Sequence, residues 1–178
     1  MNKALLRGQL QTVKNNFALV QVGIALMAHP DARERFLESL AAVKGHSETS
    51  AVEYIAYVFD TEELLKRATR EFRNAALRNC LKEMFELVKA YGDATNQSSI
   101  IKAAPWYQFL RVLRNCLSHD LRVHFTAYDE KLLPVVWSGL TLDRSMQDAP
   151  LPMRDFLSRS KALELIDEVI VYIEQRVG

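Results

Sequence analysis

Within the first 27 residues, Leu6, Leu10, Val13, Phe17, Val20, Ile24 and Met27 recur in alternating steps of four and three. A strand buries every second residue, so this spacing fits only a helix packed along one face for most of its length. Six Gly and five Pro in 178 residues supply few tight turns. Long helices are therefore expected throughout, rather than a many-stranded sandwich. A chain of this length makes one compact domain over 1–178, large enough to bury a core.

The same reading continues along the chain. A second helix is expected over 31–43, with Phe36, Leu37, Leu40 and Val43 inward and Gly45 placed to stop it. A third is expected over 48–59. Asp60 and Glu63 have capping-box spacing. They open the longest periodic segment, a stripe through Leu65, Phe72, Cys80, Met84, Leu87 and Tyr91 that Gly92 closes. The polar stretch 93–102 reads as a loop. Pro105 suits the first turn of a helix running to about residue 121. A short β-hairpin or extended excursion is expected over 132–142, with Trp137, Ser138 and Gly139 between its two apolar runs as a glycine turn. The last helix covers about 154–177, with Leu163, Ile166, Ile170, Ile173 and Val177 inward. The fold class is all-α, a helical bundle with one small hairpin.

Composition narrows the functional classes. Hydrophobic residues make up 49% and charged residues 25%, which excludes a disordered or fibrous chain. Twenty-three basic against 22 acidic residues give a net charge of +1, which excludes a wholly basic nucleic-acid coat. A local basic face remains open. Residues 66–82 carry six basic and one acidic residue, and 102–124 carry four and one. That asymmetry is what a phosphate-binding face needs, and counterion release would make its affinity fall with salt. Basic residues on a solvated helix face give the same count. Cys80 and Cys116 lie inside apolar-periodic segments without paired spacing, so they are expected to be buried thiols in a reducing compartment. No basic, apolar leader opens the chain and no apolar run approaches ~18 residues. A soluble, cytoplasmic protein without membrane association is expected.

The most informative segment is 107–120. At 100° per residue, Arg114, Ser118, Arg111, Arg122, Asn115 and His119 fall in that order across an arc of roughly 140°. Trp106, Phe109, Leu110, Leu113 and Cys116 fill the opposite side and are expected in the core. An exposed helix face usually mixes Glu with Lys, whereas this arc holds three Arg, Asn, Ser and His and no acid. The chain contains its own control, because Leu-Arg-Asn-Cys-Leu occurs at both 77–81 and 113–117. Only the second copy runs on into Ser118 and His119, and the unmatched flanks mark the repeat as coincidence. Tyr107 falls in the polar arc and is the aromatic expected to contact a base. Trp137 is expected to pack beneath the hairpin.

At Arg114-Asn115-x-x-Ser118-His119 the chain resembles the HEPN superfamily, whose signature is an Arg, often followed by a polar residue, then His after four to six positions late in a helix. The resemblance is sharp over six residues and broad over the helical pattern. It implies a HEPN-like bundle and a metal-independent endoribonuclease, active as a homodimer whose two motif helices face one composite cleft. Stand-alone members of the family are often toxins or defence factors. An antitoxin or other protein neutraliser is therefore an expected partner beside RNA and a second copy of the chain.

The chemistry asks for suitable groups. Attack by the RNA 2′-hydroxyl needs one proton removed, one supplied to the leaving 5′-oxygen, and positive charge on the phosphorane. His119 is the candidate acid and base, since its unperturbed pKa lies near working pH. Arg114 would hold the scissile phosphate through its planar donor fork. Asn115, one turn before His119, would fix the ring tautomer or donate to a phosphate oxygen. Ser118, Arg111, Tyr107 and Arg122 would be supporting substrate contacts. On a regular helix Arg114 and His119 sit about 140° apart, so they would need a helix end or two protomers to act together.

Other chemistries fit less well. His119 and His124, with Asp120 and Asp129, have no spacing that gathers three zinc ligands. The consecutive Ser118, His119 and Asp120 point apart on a helix, so they form no triad. No Gly-rich phosphate loop exists. No metal and no cofactor are expected. The competing functional readings are a non-catalytic HEPN-fold module that binds RNA, a nucleotide or a protein, and a structural α-helical adaptor.

Overall fold

The computed structural model describes residues 2–43, 56–118, 122–151 and 156–178. These residues are predominantly helical, with one two-stranded sheet. In order they form α1 (Lys3–Met27), α2 (Ala32–Val43), α3 (Glu62–Thr95), α4 (Ser98–Lys102), α5 (Tyr107–Ser118), α6 (Ala127–Glu130), β1 (Val135–Trp137), β2 (Leu140–Leu142) and α7 (Arg159–Arg176). Residues 56–58 are also helical and Phe59 is in a turn, while 48–55 of the helix expected over 48–59, together with Gly45, lie outside the described residues. Among the described residues no helix is long and apolar enough to cross a membrane.

The chain divides into two compact units, the first formed by Met1–Asn16 with Leu77–Gly178 and the second by Phe17–Ala76. In the first, Leu6, Leu10 and Val13 of α1 are buried. So are Cys80, Leu81, Met84, Val88 and Tyr91 of α3, Phe109, Leu110 and Leu113 of α5, and Leu165, Ile166 and Val169 of α7. Both cysteines are buried, and neither is in a disulfide, as their placement predicts. The hairpin pairs Val135 with Leu142 and Trp137 with Leu140. Its turn residues Ser138 and Gly139 both have positive φ, 46° and 81°, the combination a two-residue turn between twisted strands requires. Trp137 is buried, its ring tilted against Phe109 with centroids 5.3 Å apart and its Nε1–H donated to Glu168 at 2.7 Å.

The second unit contains the far half of α1, α2 and the near half of α3. Among its described residues the buried apolar side chains are Phe17, Ile24 and Ala32. Phe36, expected inward, is partly exposed and packs on Phe59 with ring centroids 5.5 Å apart.

Several expectations are corrected. Gly92 does not end its helix, which continues to Thr95. A Cβ on Gly92 would lie 2.7 Å from Ile101 Cδ1 and 3.3 Å from Ser98 Cα, so this glycine admits α4 to close contact. The stretch expected as a loop over 93–102 thus contains a helix. Thr61, not Asp60, caps α3, its Oγ1 accepting from the Leu64 N–H at 3.2 Å. The predicted α3 stripe shifts too: Phe72 is exposed, and all buried residues of α3 lie from Leu77 onward. α7 starts at Arg159, with Ser158 accepting from Lys161 N. Its buried face is Ala162, Leu165, Ile166, Val169 and Ile173, one step round from the predicted stripe, which leaves Leu163 and Ile170 half-buried.

Candidate functional site

α5 begins after Pro105, with the Tyr107 N–H donating to Ala104 O at 3.0 Å and the Leu110 N–H to Trp106 O at 2.9 Å. Its apolar side is wholly inside: Phe109, Leu110, Val112, Leu113 and Cys116 are all buried. This division orients the other side, where Arg111, Arg114 and Asn115 are half-buried. With Phe85, Glu86, Lys89 and Tyr107 they line a cavity of about 200 Å³ in the first unit.

The arc carries no acid of its own, yet both of its described arginines on α5 meet one. Arg114 ion-pairs through Nη2 with Glu86 of α3, and its Nη1 donates to Asn115 Oδ1 at 3.1 Å. Its guanidinium carbon lies 5.9 Å from the centroid of the Phe85 ring. Its Nε is buried and, among the described residues, has no hydrogen-bond partner. The Nε–Nη2 edge, which a guanidinium uses for two parallel bonds to a carboxylate or phosphate, is thus engaged at only one of its two donors. A phosphate arriving at this edge would have to displace the Glu86 carboxylate, and would gain both donors.

Arg111 is held differently. Its Nη2 ion-pairs with Asp129, whose side chain is fully buried, and its Nε donates to Gln108 at 2.9 Å. The guanidinium also stacks 4.8 Å above Tyr128. Asp129 Oδ2 accepts from the Thr126 N–H at 2.9 Å and from the Thr126 hydroxyl at 2.6 Å, while Thr126 Oγ1 accepts from the Asp129 N–H, forming the capping box of α6. Arg111 therefore ties α5 to α6 through a buried charge pair, a structural task in place of the expected substrate contact.

Tyr107 is corrected outright. It is 6% exposed, its ring packed against Phe85 at 5.5 Å and Trp106 at 6.1 Å, so no base can stack on it. Burial pushes its hydroxyl above the ordinary tyrosine range, an effect opposed by the Arg111 charge and reinforced by Tyr128 and Asp93. Arg122 is exposed and donates to Asp148 O at 2.7 Å, beside a backbone bridge to Pro150. α5 is described through Ser118, although the Ser118 side chain is not, and His119 lies outside the described residues. Of the predicted set, Arg111, Arg114 and Asn115 share one cavity wall; Tyr107 joins that wall without an exposed ring face.

Three contributors escaped the sequence reading: Glu86, Lys89 and Asp129. A signal existed for the last, because Thr126 and Asp129 have capping-box spacing. For Glu86 and Lys89 only helix pairing brings them to α5, and no local pattern reports that. The basic stretch 66–82 is partly met by acids as well, Lys66 pairing with Glu62 at 2.5 Å and Arg70 with Glu71 at 3.5 Å. Among the described residues no three His, Cys, Asp or Glu side chains gather where a metal ion could be held. Comparison of the chain with protein-family models, with curated proteins and with solved structures finds no match.

Proposed function

We propose that this chain is a HEPN-type, metal-independent endoribonuclease that works as a homodimer, with Arg114, Asn115 and His119 in its site. The observation that carries the reading is the Arg114–Asn115 pair: Arg114 Nη1 donates to Asn115 Oδ1 at 3.1 Å and both side chains line a small polar cavity, with His119 four residues further on in the sequence. Arg114 takes the scissile phosphate on its Nε–Nη2 edge after Glu86 yields, and stabilises the charge that develops in the transition state. Lys89, on the same cavity wall, adds positive charge. His119 of one protomer removes the 2′-hydroxyl proton and His119 of the other protonates the 5′-oxygen, since one imidazole per chain cannot easily serve both steps.

The test is incubation of purified protein with RNA in excess chelator, beside His119→Ala and Arg114→Ala. Cleavage by the wild type and its loss in both variants supports the reading. Equal cleavage by all three, or none by the wild type, overturns it.

A second reading is favoured by one observation: both arginines of the α5 face are already ion-paired, Arg111 to a buried acid. A non-catalytic HEPN-fold module that binds RNA, a nucleotide or a protein partner through this face needs no free guanidinium fork for catalysis. Salt-dependent RNA binding without product formation would select it. A role as a toxin or defence factor restrained by a protein neutraliser in the cytoplasm belongs to the family resemblance and is tested by co-expression.

A further inference from the structure

Three cations on the first-unit half of α3 have no answering charge. At 100° per residue, Arg78, Lys82 and Lys89 fall within about 40° of one another on that helix. Lys82 and Lys89 are exposed and Arg78 is half-buried. Among the described residues none of the three has an ion pair, whereas Lys66, on the second-unit half, is held by Glu62. The acids of the same stretch are turned away or engaged. Glu83 lies at least about 100° round the helix from all three. Glu86 is taken by Arg114, and Asp93 accepts from the Ser98 hydroxyl at 2.7 Å. Arg78 and Lys82 are also four residues apart, where like charges repel and weaken a helix. An anion laid along the stripe relieves that repulsion.

The stripe leads into the candidate site, since Lys89 lines the same cavity as Arg114 and Asn115. That cavity, at about 200 Å³, is smaller than the roughly 300–1,000 Å³ of pockets that enclose a small molecule. It accommodates a phosphate and leaves a base outside. Beside it stands an aromatic ring that the sequence reading passed over. Tyr128 is 56% exposed, and the guanidinium of Arg111, a residue of the cavity wall, lies 4.8 Å from its ring centroid. The next residue, Asp129, is fully buried, bonded to Arg111 and closed into the capping box of α6. The ring is therefore held in place with much of its surface open to solvent, the condition that the buried Tyr107 fails.

We propose that the first unit binds one unpaired strand of RNA, with its phosphates along Arg78, Lys82 and Lys89 into the Arg114 cavity and a base stacked on Tyr128. This rests on the reading of RNA as the ligand and adds its strandedness and its path. Arg78 to Lys82 and Lys82 to Lys89 are about 6 Å and about 10.5 Å along the helix axis. A flexible strand can fit such uneven intervals, whereas a duplex carries its phosphates on a fixed curve. A duplex also keeps its base faces stacked inside, out of reach of a tyrosine. A line of cations that follows the backbone, joined to an aromatic platform for a base, is the general means of holding single strands without reading their sequence.

The test is fluorescence anisotropy over a salt series with a short, labelled 2′-O-methyl oligoribonucleotide, whose blocked 2′-oxygen separates binding from cleavage. Its abasic counterpart and a duplex of the same chemistry are measured beside it. Tyr128→Ala should weaken binding of the base-bearing strand about fivefold or more and leave the abasic strand unchanged, while Tyr128→Phe keeps the wild-type affinity. Arg78→Ala, Lys82→Ala and Lys89→Ala should each lower the slope of log K against log salt by about 0.7. Arg7→Ala, which removes a cation already paired with Glu174, should not. No binding by the wild type overturns the proposal, as do equal affinity for the duplex, a Tyr128→Ala effect that is absent or the same on the abasic strand, and slopes that do not change. Cleavage of ordinary RNA is scored separately. Binding with these dependences but no cleavage keeps the strand path and removes the endonuclease; cleavage without them does the reverse.

Discussion

Replacing Asp129 with Ala is expected to be the most damaging single change near the candidate site. The Asp129 side chain is fully buried and meets three donors: the Arg111 guanidinium, the Thr126 N–H and the Thr126 hydroxyl. Losing a helix cap costs about 1 kcal/mol. Leaving a buried charge without its partner costs about 3–5 kcal/mol, reduced here because the Arg111 side chain is 18% exposed and keeps some water. A total of about 3–4 kcal/mol follows, or roughly 6–16 °C in Tm for a chain of this size. Urea unfolding followed by tryptophan fluorescence is the appropriate assay, because both tryptophans, Trp106 and Trp137, are buried in the unit that contains Asp129. Replacing Asp129 and Arg111 together with Leu should recover much of the loss, since the cost lies in the orphaned charge. A loss below about 1 kcal/mol in Asp129→Ala would refute the structural assignment and return Arg111 to the pool of phosphate contacts.

Glu86→Gln should tighten RNA binding about five- to tenfold at low salt, because it removes the anion competing for Arg114; fluorescence anisotropy showing unchanged or weaker binding would count against the displacement idea. Gly92→Ala should destabilise by about 1–3 kcal/mol through its clash with Ile101, more than the helix preference of Ala returns. Adding Ile101→Val, which deletes the Cδ1 atom 2.7 Å from the new methyl, should restore part of that in the same urea assay. Cys80, pushed up to about 12 by burial and secondarily by Glu83, should remain a neutral thiol across the working range. Its labelling by a thiol reagent in native buffer should therefore be slow and keep rising about tenfold per pH unit from about pH 7 to 9 without levelling off, whereas an ordinary thiol bends toward its plateau through its pKa near 8.5.

Helix periodicity was legible where one face is fully covered. The seam of α1 shows this at Leu6, Leu10 and Val13, and α5's apolar side shows it at Phe109, Leu110 and Leu113. The hairpin was legible because Ser138-Gly139 between alternating apolar residues admits few other conformations. What failed were positions where a local rule met a tertiary demand. Gly92 reads as a stop until α4 is seen against it. Phe72 sits at the right phase of α3 but stays half exposed. The repeated pentapeptide makes the same point at the site. Leu77, Cys80 and Leu81 are buried like Leu113, Cys116 and Leu117. Yet Arg114 meets Glu86 and Asn115, while Arg78 has no ion pair among the described residues. Identical local sequence buries the same three apolar positions, yet Asn79 is exposed where Asn115 is half-buried, and the acid that pairs with Arg114 comes from another helix.

The acid-free arc of α5 was the strongest sequence argument for anion binding, and the structure changes what it means. An arginine face without acids on its own helix is equally the signature of a helix whose acids are supplied by its neighbours, here Glu86 from α3 and Asp129 from α6. The two pairs differ in what they leave open. Asp129 is fully buried and also carries the α6 cap, so releasing Arg111 would dismantle local structure. Glu86 is 42% exposed on its side chain and, among the described residues, bonds to Arg114 through one oxygen. Water can take its place at little cost. A phosphate that brings two acceptor oxygens to the Nε–Nη2 edge offers more than the single bond it displaces. Burial therefore ranks the two arginines in a way that helix phase cannot: Arg111 builds the wall of the cavity, and Arg114 is the one guanidinium on that wall that a ligand can recruit without unfolding anything.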